Sequence, residues 1–522
     1  MKLLLLMLFP GLLSAQKNNS FDILNYDISI QVNDSTDLIF GSNTLSIKFL
    51  TLSVDPISLD FIKKDSTEKG MVVSQVIQDG KQVNFQQDTY HLIIDIERPL
   101  YGAISAIKID YAGVPQDGLI ISNNKFGDRT FFGDNWPNRA SHWFPCIDHP
   151  SEKATVSFTI AHPNHYTCVS NGEKKSETRL NSKEVVTAYS SKFELPTKVM
   201  VFGLAAFSTD TLSHPENMEH INFVFSQNDI SGFKDMSAAA DPLQFFETYI
   251  APYPFEKLYN VQSTTRYGGM ENAGCIFYDE NAVTGEGSME NLIAHEIAHQ
   301  WFGNSASEAD WPHLWLSEGF ATYFTNLHIE HKYGRGKMNE QLIKDRNRVI
   351  RFHKMVQLPL KDTVSTNPLN MLNPNAYQRG AWTLHMLRNK IGEDTFWKGV
   401  RAYYQAFKYK NATTSDLMRI MQDQTDLDLS QFFHQWIEKT GHPLLSSKLY
   451  QGAEKQFLAI EQKQDQLFNF PLEVELKGKH GKSKNMLANI SKKQHVIEIT
   501  ADFHIESFLL DPKTKLLFEK TN

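Results

Sequence analysis

Residues 295–299 read His-Glu-Ile-Ala-His, and eighteen residues separate the last of them from Glu318. On a helix, His295 and His299 lie one turn apart and point the same way, so two imidazoles share one face. Together with the Glu318 carboxylate they would bind Zn²⁺ and leave a fourth position for water, which is typical of a catalytic zinc. Glu296 is placed to polarise that water without binding the metal.

The same motif also occurs by chance on helices that bind no metal, so its context matters. Residues 292–302 are apolar at helical spacing, and Glu318 begins a second apolar helical run. A histidine buried on such a face needs a polar partner, and a metal ion is a suitable one. The sequence therefore predicts a zinc hydrolase that holds one Zn²⁺ per chain.

A glycine-rich segment lies just upstream of the histidine motif. It reads Gly268-Gly269-Met270-Glu271-Asn272. A G-x-M-E-N segment followed by H-E-x-x-H and then a distant glutamate resembles the M1 family of zinc aminopeptidases, the gluzincins related to aminopeptidase N and leukotriene A4 hydrolase. The resemblance covers nearly the whole chain, although the motifs themselves occupy only its middle third.

The resemblance implies that the glycine-rich segment binds the substrate. Glu271 would bind the free α-amino group of a peptide, which agrees with the attraction between a carboxylate and an ammonium. Gly268 and Gly269 would let the peptide backbone approach closely, beside Met270. Without the resemblance, Glu271 would be interpreted as a solvated loop acid and the two glycines as an ordinary turn.

Tyr377 matches a further position of the family, where a tyrosine precedes a basic residue and a glycine. Its phenol would donate a hydrogen bond to the oxyanion that forms during hydrolysis. The alternative is an aromatic side chain in the core of a helical domain. The reaction that the resemblance implies is removal of the N-terminal residue of a peptide by a zinc-bound water, with Glu296 as the general base.

Asp134 concerns the first residue of the substrate. M1 enzymes commonly carry a Gln twelve residues before the cysteine of a Pro-Cys element, and counting back from Cys146 gives Asp134. The resemblance implies that a carboxylate there favours Lys or Arg as the first substrate residue. Alternatively, Asp134 caps a turn before Trp136, and Trp136 and Met270 would then shape an apolar pocket that prefers Leu, Met or Ala.

The hydropathy pattern predicts a multidomain α+β protein. Apolar and polar residues alternate from residue 20 to about 206 and again from about 442, which predicts strands. Between these parts, helical spacing predicts helices near 290–303, 315–333, 376–391, 395–408 and 428–439. We predict a signal peptide at 1–15, a β domain at 16–206, a catalytic domain at 207–441 and a small β-sandwich at 442–522. The resemblance implies that the first domain is an antiparallel β saddle and that the catalytic domain is thermolysin-like.

Composition excludes one class of function and leaves ample apolar material for several cores. The chain has 522 residues, of which 41% are hydrophobic, and its net charge at pH 7 is −8. Because no Lys/Arg block stands out, the charge argues against nucleic-acid binding. We expect the partners to be peptides with a free N-terminus.

The first fifteen residues combine a lysine, a short apolar core and a small-residue cleavage site, which is typical of a secretory signal peptide. The sequence therefore predicts a secreted or periplasmic protein, with a pattern that fits a bacterium and no stable membrane insertion after cleavage. Cys146, Cys168 and Cys275 form no CxxC pair, and a single disulfide among them is not assignable from the sequence.

Three other functions stay open at this stage. A thermolysin-like endopeptidase would share the zinc motif, but Glu271 would oppose a chain continuing past the amino-terminal position. Epoxide hydrolysis beside peptidase activity has no specific support in the residues. An inactive, binding-only relative would be expected to have lost a zinc ligand or the base, whereas this chain has all four residues.

Overall fold

The structure is a computed structural model that describes residues 20–51, 56–97, 100–453 and 455–521. The predicted signal peptide lies outside the described residues. Two compact units are found. The first unit consists of the described residues up to Ala240 with Phe255–Glu290 and Thr366–Pro368, and the second of Asp241–Pro254, Asn291–Ser365 and the described residues from Leu369 onward.

The first unit is built mainly from strands, which confirms the predicted β-rich N-terminal part. Its strands are β1 Phe21–Gln31, β2 Ile39–Phe49, β3 Ile57–Asp60, β4 Gly70–Gln78, β5 Lys81–Gln82, β6 Phe85–Gln87, β7 His91–Ile94, β8 Ile104–Val114, β9 Leu119–Asn123, β10 Arg129–Gly133, β11 Lys153–Pro163, β12 Thr167–Ser170, β13 Glu173–Arg179, β14 Glu184–Pro196, β15 Phe202–Ala205, β16 Phe207–Thr211, β17 Glu219–Phe225, β18 Lys257–Ser263, β19 Gly269–Met270 and β20 Cys275–Asp279. One α-helix, α1 Asp229–Met236, follows β17.

These strands form four sheets among the described residues. The largest has the order β13-β14-β11-β1-β2-β8-β4-β5, and the others are β12-β15-β10-β9, β3-β7-β6 and β16-β17-β18-β20-β19. In the largest sheet, β1 pairs with β11 in parallel and with β2 antiparallel. Tyr26, Ile28 and Ile30 of β1 are buried, because alternate side chains of a strand face the same side of its sheet.

The sheet that ends at β19 holds the glycine-rich segment. Strands β17, β18 and β20 run parallel, whereas the two-residue strand β19 pairs antiparallel with β20. Gly269 lies opposite Tyr278 and Met270 opposite Phe277. β19 is therefore one of the two edge strands of this sheet.

The second unit contains most of the helices. They are α2 Ala240–Tyr249, α3 Glu290–Ala298, α4 Trp315–Tyr333, α5 Arg335–Met355, α6 Gly380–Ile391, α7 Glu393–Phe407, α8 Thr414–Gln422 and α9 Ser430–Phe433, with π-helical turns at Asn375–Arg379 and His434–Glu438. A short parallel pair joins β21 Ser307–Glu308 and β22 Asn411–Ala412. Short 3₁₀ turns occur in the first unit at Ala140–His142, Thr197–Val199, Ser226–Asn228 and Ser237–Ala239, and in the second unit at Trp311–His313 and Lys479–Gly481. A further one, Pro368–Met371, begins at the last residue of the first unit.

Seven strands follow the last helix: β23 Leu444–Gln451, β24 Gln456–Gln462, β25 Phe470–Gly478, β26 Ser483–Ile490, β27 Gln494–Ile499, β28 Ile505–Leu510 and β29 Glu519–Lys520. They form two sheets, of orders β27-β24-β23-β29 and β26-β25-β28. Leu472, Val474 and Leu476 are buried on one face of β25, as their alternation predicts.

Two further observations bear on the sequence predictions. Cys146, Cys168 and Cys275 are all buried and free, so no disulfide joins them in this structure. Within the described part of the chain, no helix combines the length and the apolar character that crossing a bilayer requires.

Candidate active site

The two histidines are positioned by the end of α3. His295 lies within the helix, and His299 lies just past its last residue, but the His299 N–H still donates to the His295 carbonyl at 3.2 Å. The two side chains therefore remain one helical turn apart. Glu318 lies in the first turn of α4, the second apolar helix that the sequence predicts.

The three predicted ligands converge on one point. Nε2 of His295 and Nε2 of His299 are 3.1 Å apart, and Oε2 of Glu318 lies 3.4 Å and 3.3 Å from them. Among the described residues, no other group of His, Cys, Asp and Glu side chains is close enough to hold a metal ion. Oε2 of Glu318 is buried and has no hydrogen-bond partner in the structure, so this donor set fits a dication that would satisfy it.

The charge state of Glu318 suits a ligand. Burial by itself would raise its pKa, but the His299 and His295 imidazoles outweigh burial and lower the pKa of this carboxyl well below its usual range. Glu318 is therefore an anion at neutral pH. The His295 side chain is 17% exposed, against 2% for His299 and 5% for Glu318, so solvent reaches the group on the His295 side.

A second layer of contacts fixes the orientation of His299. Its Nδ1 lies 3.1 Å from the Phe302 carbonyl and 3.1 Å from Oγ of Ser317. Since a carbonyl only accepts, Nδ1–H is the donor to Phe302, and the Nε2 lone pair points towards His295 and Glu318. This arrangement selects the ring tautomer that binds a metal through Nε2.

Gly303 makes this contact possible. A Cβ at this position would lie 2.4 Å from Oγ of Ser317 and 3.0 Å from Nδ1 of His299, and the Gly303 φ is +126°. Both the crowding and the backbone conformation therefore require glycine. Ser317 and Gly303 were not identified from the sequence, because their roles depend on how the turn after α3 folds back.

Glu296 and Tyr377 also belong to the second unit. Glu296 is adjacent to His295 on α3 and is only 5% exposed. The Tyr377 ring is nearly parallel to that of His295, with an interplanar angle of 16° and ring centroids 5.9 Å apart. Tyr377 lies at the centre of the π-helical turn Asn375–Arg379 and is half-buried. The structure thus brings Tyr377 to the candidate metal ligands.

The glycine-rich segment lies in the first unit. Gly268 precedes β19 and its carbonyl accepts from the Asp279 N–H at 3.1 Å. Met270 and Glu271 are buried, with 2% and 6% exposure. Glu271 therefore follows the edge strand directly and is not the solvated loop acid of the alternative interpretation.

Asp134 is held by internal partners in the first unit. It is fully buried, and its Oδ1 accepts from Arg139 Nη2 at 2.6 Å. Oδ2 accepts from the Arg266 N–H at 3.3 Å. Burial raises the pKa of Asp134, and the Arg139 guanidinium opposes that shift. Arg139 was not identified from the sequence, because nothing in a five-residue separation marks an ion pair.

Known proteins with related sequences place the chain in a family. The model of the peptidase M1 N-terminal domain matches residues 23–199, and that of the peptidase family M1 domain matches residues 235–436. The chain belongs to peptidase family M1. All the candidate metal ligands and Tyr377 lie within the segment that matches the M1 peptidase domain.

Several curated relatives of the chain are named as aminopeptidases. A leucyl aminopeptidase of Saccharolobus solfataricus is 26% identical over 458 residues, covering 82% of this chain and 55% of that protein. An alanine/arginine aminopeptidase of Saccharomyces cerevisiae is 27% identical over 465 residues, covering 82% of this chain and 53% of that protein. A glutamyl aminopeptidase of Sus scrofa is 28% identical over 333 residues, covering 60% of this chain and 35% of that protein. The chain spans about half the length of these relatives, or less.

Proposed function

We propose that this chain is a zinc aminopeptidase that removes the N-terminal residue from peptides. The observation that supports it is the convergence of His295, His299 and Glu318, with the His299 tautomer set by the Phe302 carbonyl. Two imidazoles and one carboxylate are the protein ligands of catalytic zinc in several peptidases. The aminopeptidase names of the curated relatives agree with this activity.

The chain's own residues supply the acid–base steps. A Zn²⁺ held by the three ligands would act as a Lewis acid on the scissile carbonyl. Glu296, buried on α3 beside His295, takes a proton from the attacking water and later delivers one to the leaving amine. The Tyr377 phenol, whose ring stacks on His295, donates a hydrogen bond to the oxyanion.

Selection of a free N-terminus is proposed for the glycine-rich segment. Among the described strands β19 pairs only with β20, and an extended peptide can add to such an edge strand as a further strand of the sheet. Glu271 follows this edge directly, and its carboxylate would bind the α-ammonium of the first residue. Gly268 and Gly269 let the peptide backbone approach closely.

For the first substrate residue we propose a preference for neutral, apolar side chains such as Leu, Met or Ala. Arg139 at 2.6 Å already neutralises Asp134, so a substrate Lys or Arg would have to displace an internal guanidinium. Trp136 and Met270 are both apolar and buried, so neither provides a charge for a substrate cation. Asp134 would then stabilise the loop and would not bind a substrate cation.

The finer organisation of the molecule is part of the proposal. We assign a β saddle to residues 16–206, a thermolysin-like catalytic domain to 207–441 and a β-sandwich to 442–522. The last assignment is supported by the two sheets of four and three strands after α9. Export to the periplasm or the medium rests on the signal-peptide pattern at 1–15.

Hydrolysis of a panel of aminoacyl fluorogenic amides tests the proposed activity. The purified chain would be assayed as isolated, after removal of metal by a chelator, and after Zn²⁺ is returned. We expect cleavage that is lost with the metal and restored by Zn²⁺, and no cleavage of N-acetylated amides. Activity that survives complete metal removal, or that prefers blocked N-termini, would contradict the proposal.

A further inference from the structure

The turn that carries Tyr377 is a π-helix, whose hydrogen bonds are wider than those of an α-helix. The Arg379 N–H donates to the Pro374 carbonyl at 2.9 Å, five residues back. Such turns are rare and occur mostly as single turns within α-helices, frequently at functional sites. The position of the Tyr377 phenol therefore depends on what fixes residues 375–379.

Asn375 and Arg379 fix this turn from its two ends. Asn375 Nδ2 donates to the Leu358 carbonyl at 3.0 Å, and Arg379 Nη1 donates to the same carbonyl at 3.3 Å. Tyr377 lies midway between these two residues in sequence. One backbone carbonyl outside the turn thus anchors both ends of it.

Arg379 also joins the turn to the second π-helical turn, His434–Glu438. Its Nη2 donates to the carbonyls of Trp436 and Lys439, at 3.2 Å and 2.6 Å. Carbonyls at the end of a helix lack partners within the helix and carry partial negative charge, so a guanidinium there is favourable. Arg379 is 1% exposed, and burial lowers its pKa to about 10, so it is still charged at neutral pH.

The partners of Arg379 are all backbone carbonyls. Among the described residues, no carboxylate lies within salt-bridge distance of it, whereas Arg346, a largely buried arginine of the same unit, pairs with Asp511 at 2.7 Å. A charge buried without a counter-ion is costly unless it is well hydrogen-bonded. A guanidinium presents several donors in one plane, and the turn uses them to bond to carbonyls from different segments. This requirement explains why a charged side chain is buried here despite the free-energy cost of burying it.

The close packing of α4 adds a second constraint on the same turn. A Cβ at Gly319 would lie 2.9 Å from the Gly380 Cα and 3.1 Å from the Ala376 carbonyl. Gly319 follows the metal ligand Glu318, so the turn that carries Tyr377 contacts the helix that carries Glu318. A shift of the turn would therefore move the phenol relative to the ligands.

We propose that Arg379 is a positioning residue, which together with Asn375 holds the π-helical turn so that the Tyr377 phenol meets the oxyanion. The inference rests on the proposed function, because it assigns Tyr377 the role of oxyanion donor. The Arg379 guanidinium donates to the backbone carbonyls of Leu358, Trp436 and Lys439, and the inference assigns it no bond to the substrate or the metal. It acts on kcat through Tyr377 alone.

A double-mutant cycle of Arg379→Lys and Tyr377→Phe tests this inference. Lysine keeps the charge but is a point donor that cannot bond to the Leu358 and Lys439 carbonyls in the same fork-like way. We expect Arg379→Lys to lower kcat by about 10- to 100-fold, as a small misplacement of a catalytic group does, with KM and zinc content unchanged. In the Tyr377→Phe background the same substitution should lower kcat no further.

Asn375→Ala removes the other anchor and should give the same non-additive loss. Arg346→Lys is the matched control: it weakens a buried arginine that packs on Trp382 and Phe518, so it should lower the melting temperature and leave kcat unchanged. Equal losses from Arg379→Lys in both backgrounds, or no loss in either, would overturn the inference.

The failure of the inference is distinguishable from that of the proposed function. If Tyr377→Phe reduces kcat by the roughly 10²- to 10³-fold expected for an oxyanion donor while Arg379→Lys acts additively, only the inference fails. If Tyr377→Phe leaves kcat unchanged, the assigned role of Tyr377 fails and the inference with it.

Discussion

Oγ of Ser317 lies 3.1 Å from Nδ1 of His299, so the residue before one candidate metal ligand contacts the back of another. His299 directly follows the last residue of α3, and Ser317 precedes Glu318 in the first turn of α4. The two helices that supply the ligands are therefore linked behind the metal position. Contacts of this kind orient the metal ligands and commonly change metal affinity by about 10- to 100-fold.

Gly303→Ala should weaken zinc binding without removing any ligand. The new methyl group would press on Ser317 and His299, and the positive φ of Gly303 adds backbone strain. We expect a zinc affinity about 10- to 100-fold lower, measured by competition with a chelator. Gly336→Ala is the control, since a Cβ there meets no atom within 4 Å and its residue lies in α5. Wild-type affinity in Gly303→Ala would contradict the role assigned to this turn.

Glu296→Gln should separate metal binding from turnover. Glutamine keeps the size of the side chain but cannot accept the proton, and loss of a general base typically lowers rates by about 10²- to 10⁴-fold. Zinc content should stay at one per chain. His295→Ala, His299→Ala and Glu318→Ala should instead lower the zinc content, because each removes a ligand. Near-normal kcat in a fully loaded Glu296→Gln protein would rule out the mechanism.

Glu271→Gln should reduce selection for a free N-terminus. A hydrogen bond to a charged group contributes about 1.5–3 kcal/mol, which corresponds to roughly 10- to 100-fold in kcat/KM. We expect that loss for free peptides, with KM raised and kcat lowered together because the anchor also places the scissile bond. Glu286→Gln, an exposed acid of the same unit, should change neither constant. Rapid cleavage of acetylated peptides by the wild type would favour an endopeptidase.

The sequence predicts a feature well when the spacing of its residues is compatible with only one local structure. His295 and His299 were predictable because helical periodicity brings residues four apart to one face, and the predicted run 315–333 coincides with α4. The predicted helix 290–303 ends earlier, at Ala298. Beyond it the Asn304 N–H donates to the His299 carbonyl, five residues back, so the chain leaves the helix in a wider turn.

Other features of the site leave no mark on the periodicity of apolar residues in the sequence. A π-helical turn and an α-helix give the same apolar spacing over five residues, so the predicted helix 376–391 conceals the turn that carries Tyr377. In the sequence, Arg379 matches only the basic residue that follows the tyrosine in the family pattern, because its partners Leu358, Trp436 and Lys439 are distant in sequence. Likewise the pairing of Asp134 with Arg139 follows from burial and not from any motif.

The preference for the first residue tests the ion pair of Asp134 with Arg139. If the pair stays closed, Leu- and Ala-amides should be cleaved with higher kcat/KM than Lys- and Arg-amides. Asp134→Asn should leave the Leu/Arg ratio unchanged, because the carboxylate takes no part in binding the side chain. A ratio is compared since it is insensitive to any loss of folded protein. If the wild type prefers Arg or Lys and Asp134→Asn loses that preference, Asp134 binds a basic substrate side chain after all.

The raised pKa of Asp148 leads us to expect that the stability of the protein depends on pH, independently of catalysis. Burial raises the pKa of Asp148 to about 7, with a further upward contribution from Asp60, while a hydrogen bond from the Ser141 N–H opposes the shift. In the unfolded chain an aspartate titrates near pH 4. Between these values the folded protein holds a proton that the unfolded chain has lost, so the contribution of Asp148 to stability falls as the pH rises from about 4 to 7.

Asp148→Asn should remove that contribution. Asparagine reproduces the protonated acid, because its carbonyl can accept from the Ser141 N–H at 2.9 Å while its amide can donate to Thr197 Oγ1, 3.3 Å from the carboxylate. We expect a melting temperature that declines less between pH 4 and 7 than that of the wild type, with the largest gain at the upper end of this range. Asp502→Asn, at an exposed position, should follow the wild-type profile. Parallel profiles for Asp148→Asn and the wild type would show that Asp148 is ionised throughout in the folded protein.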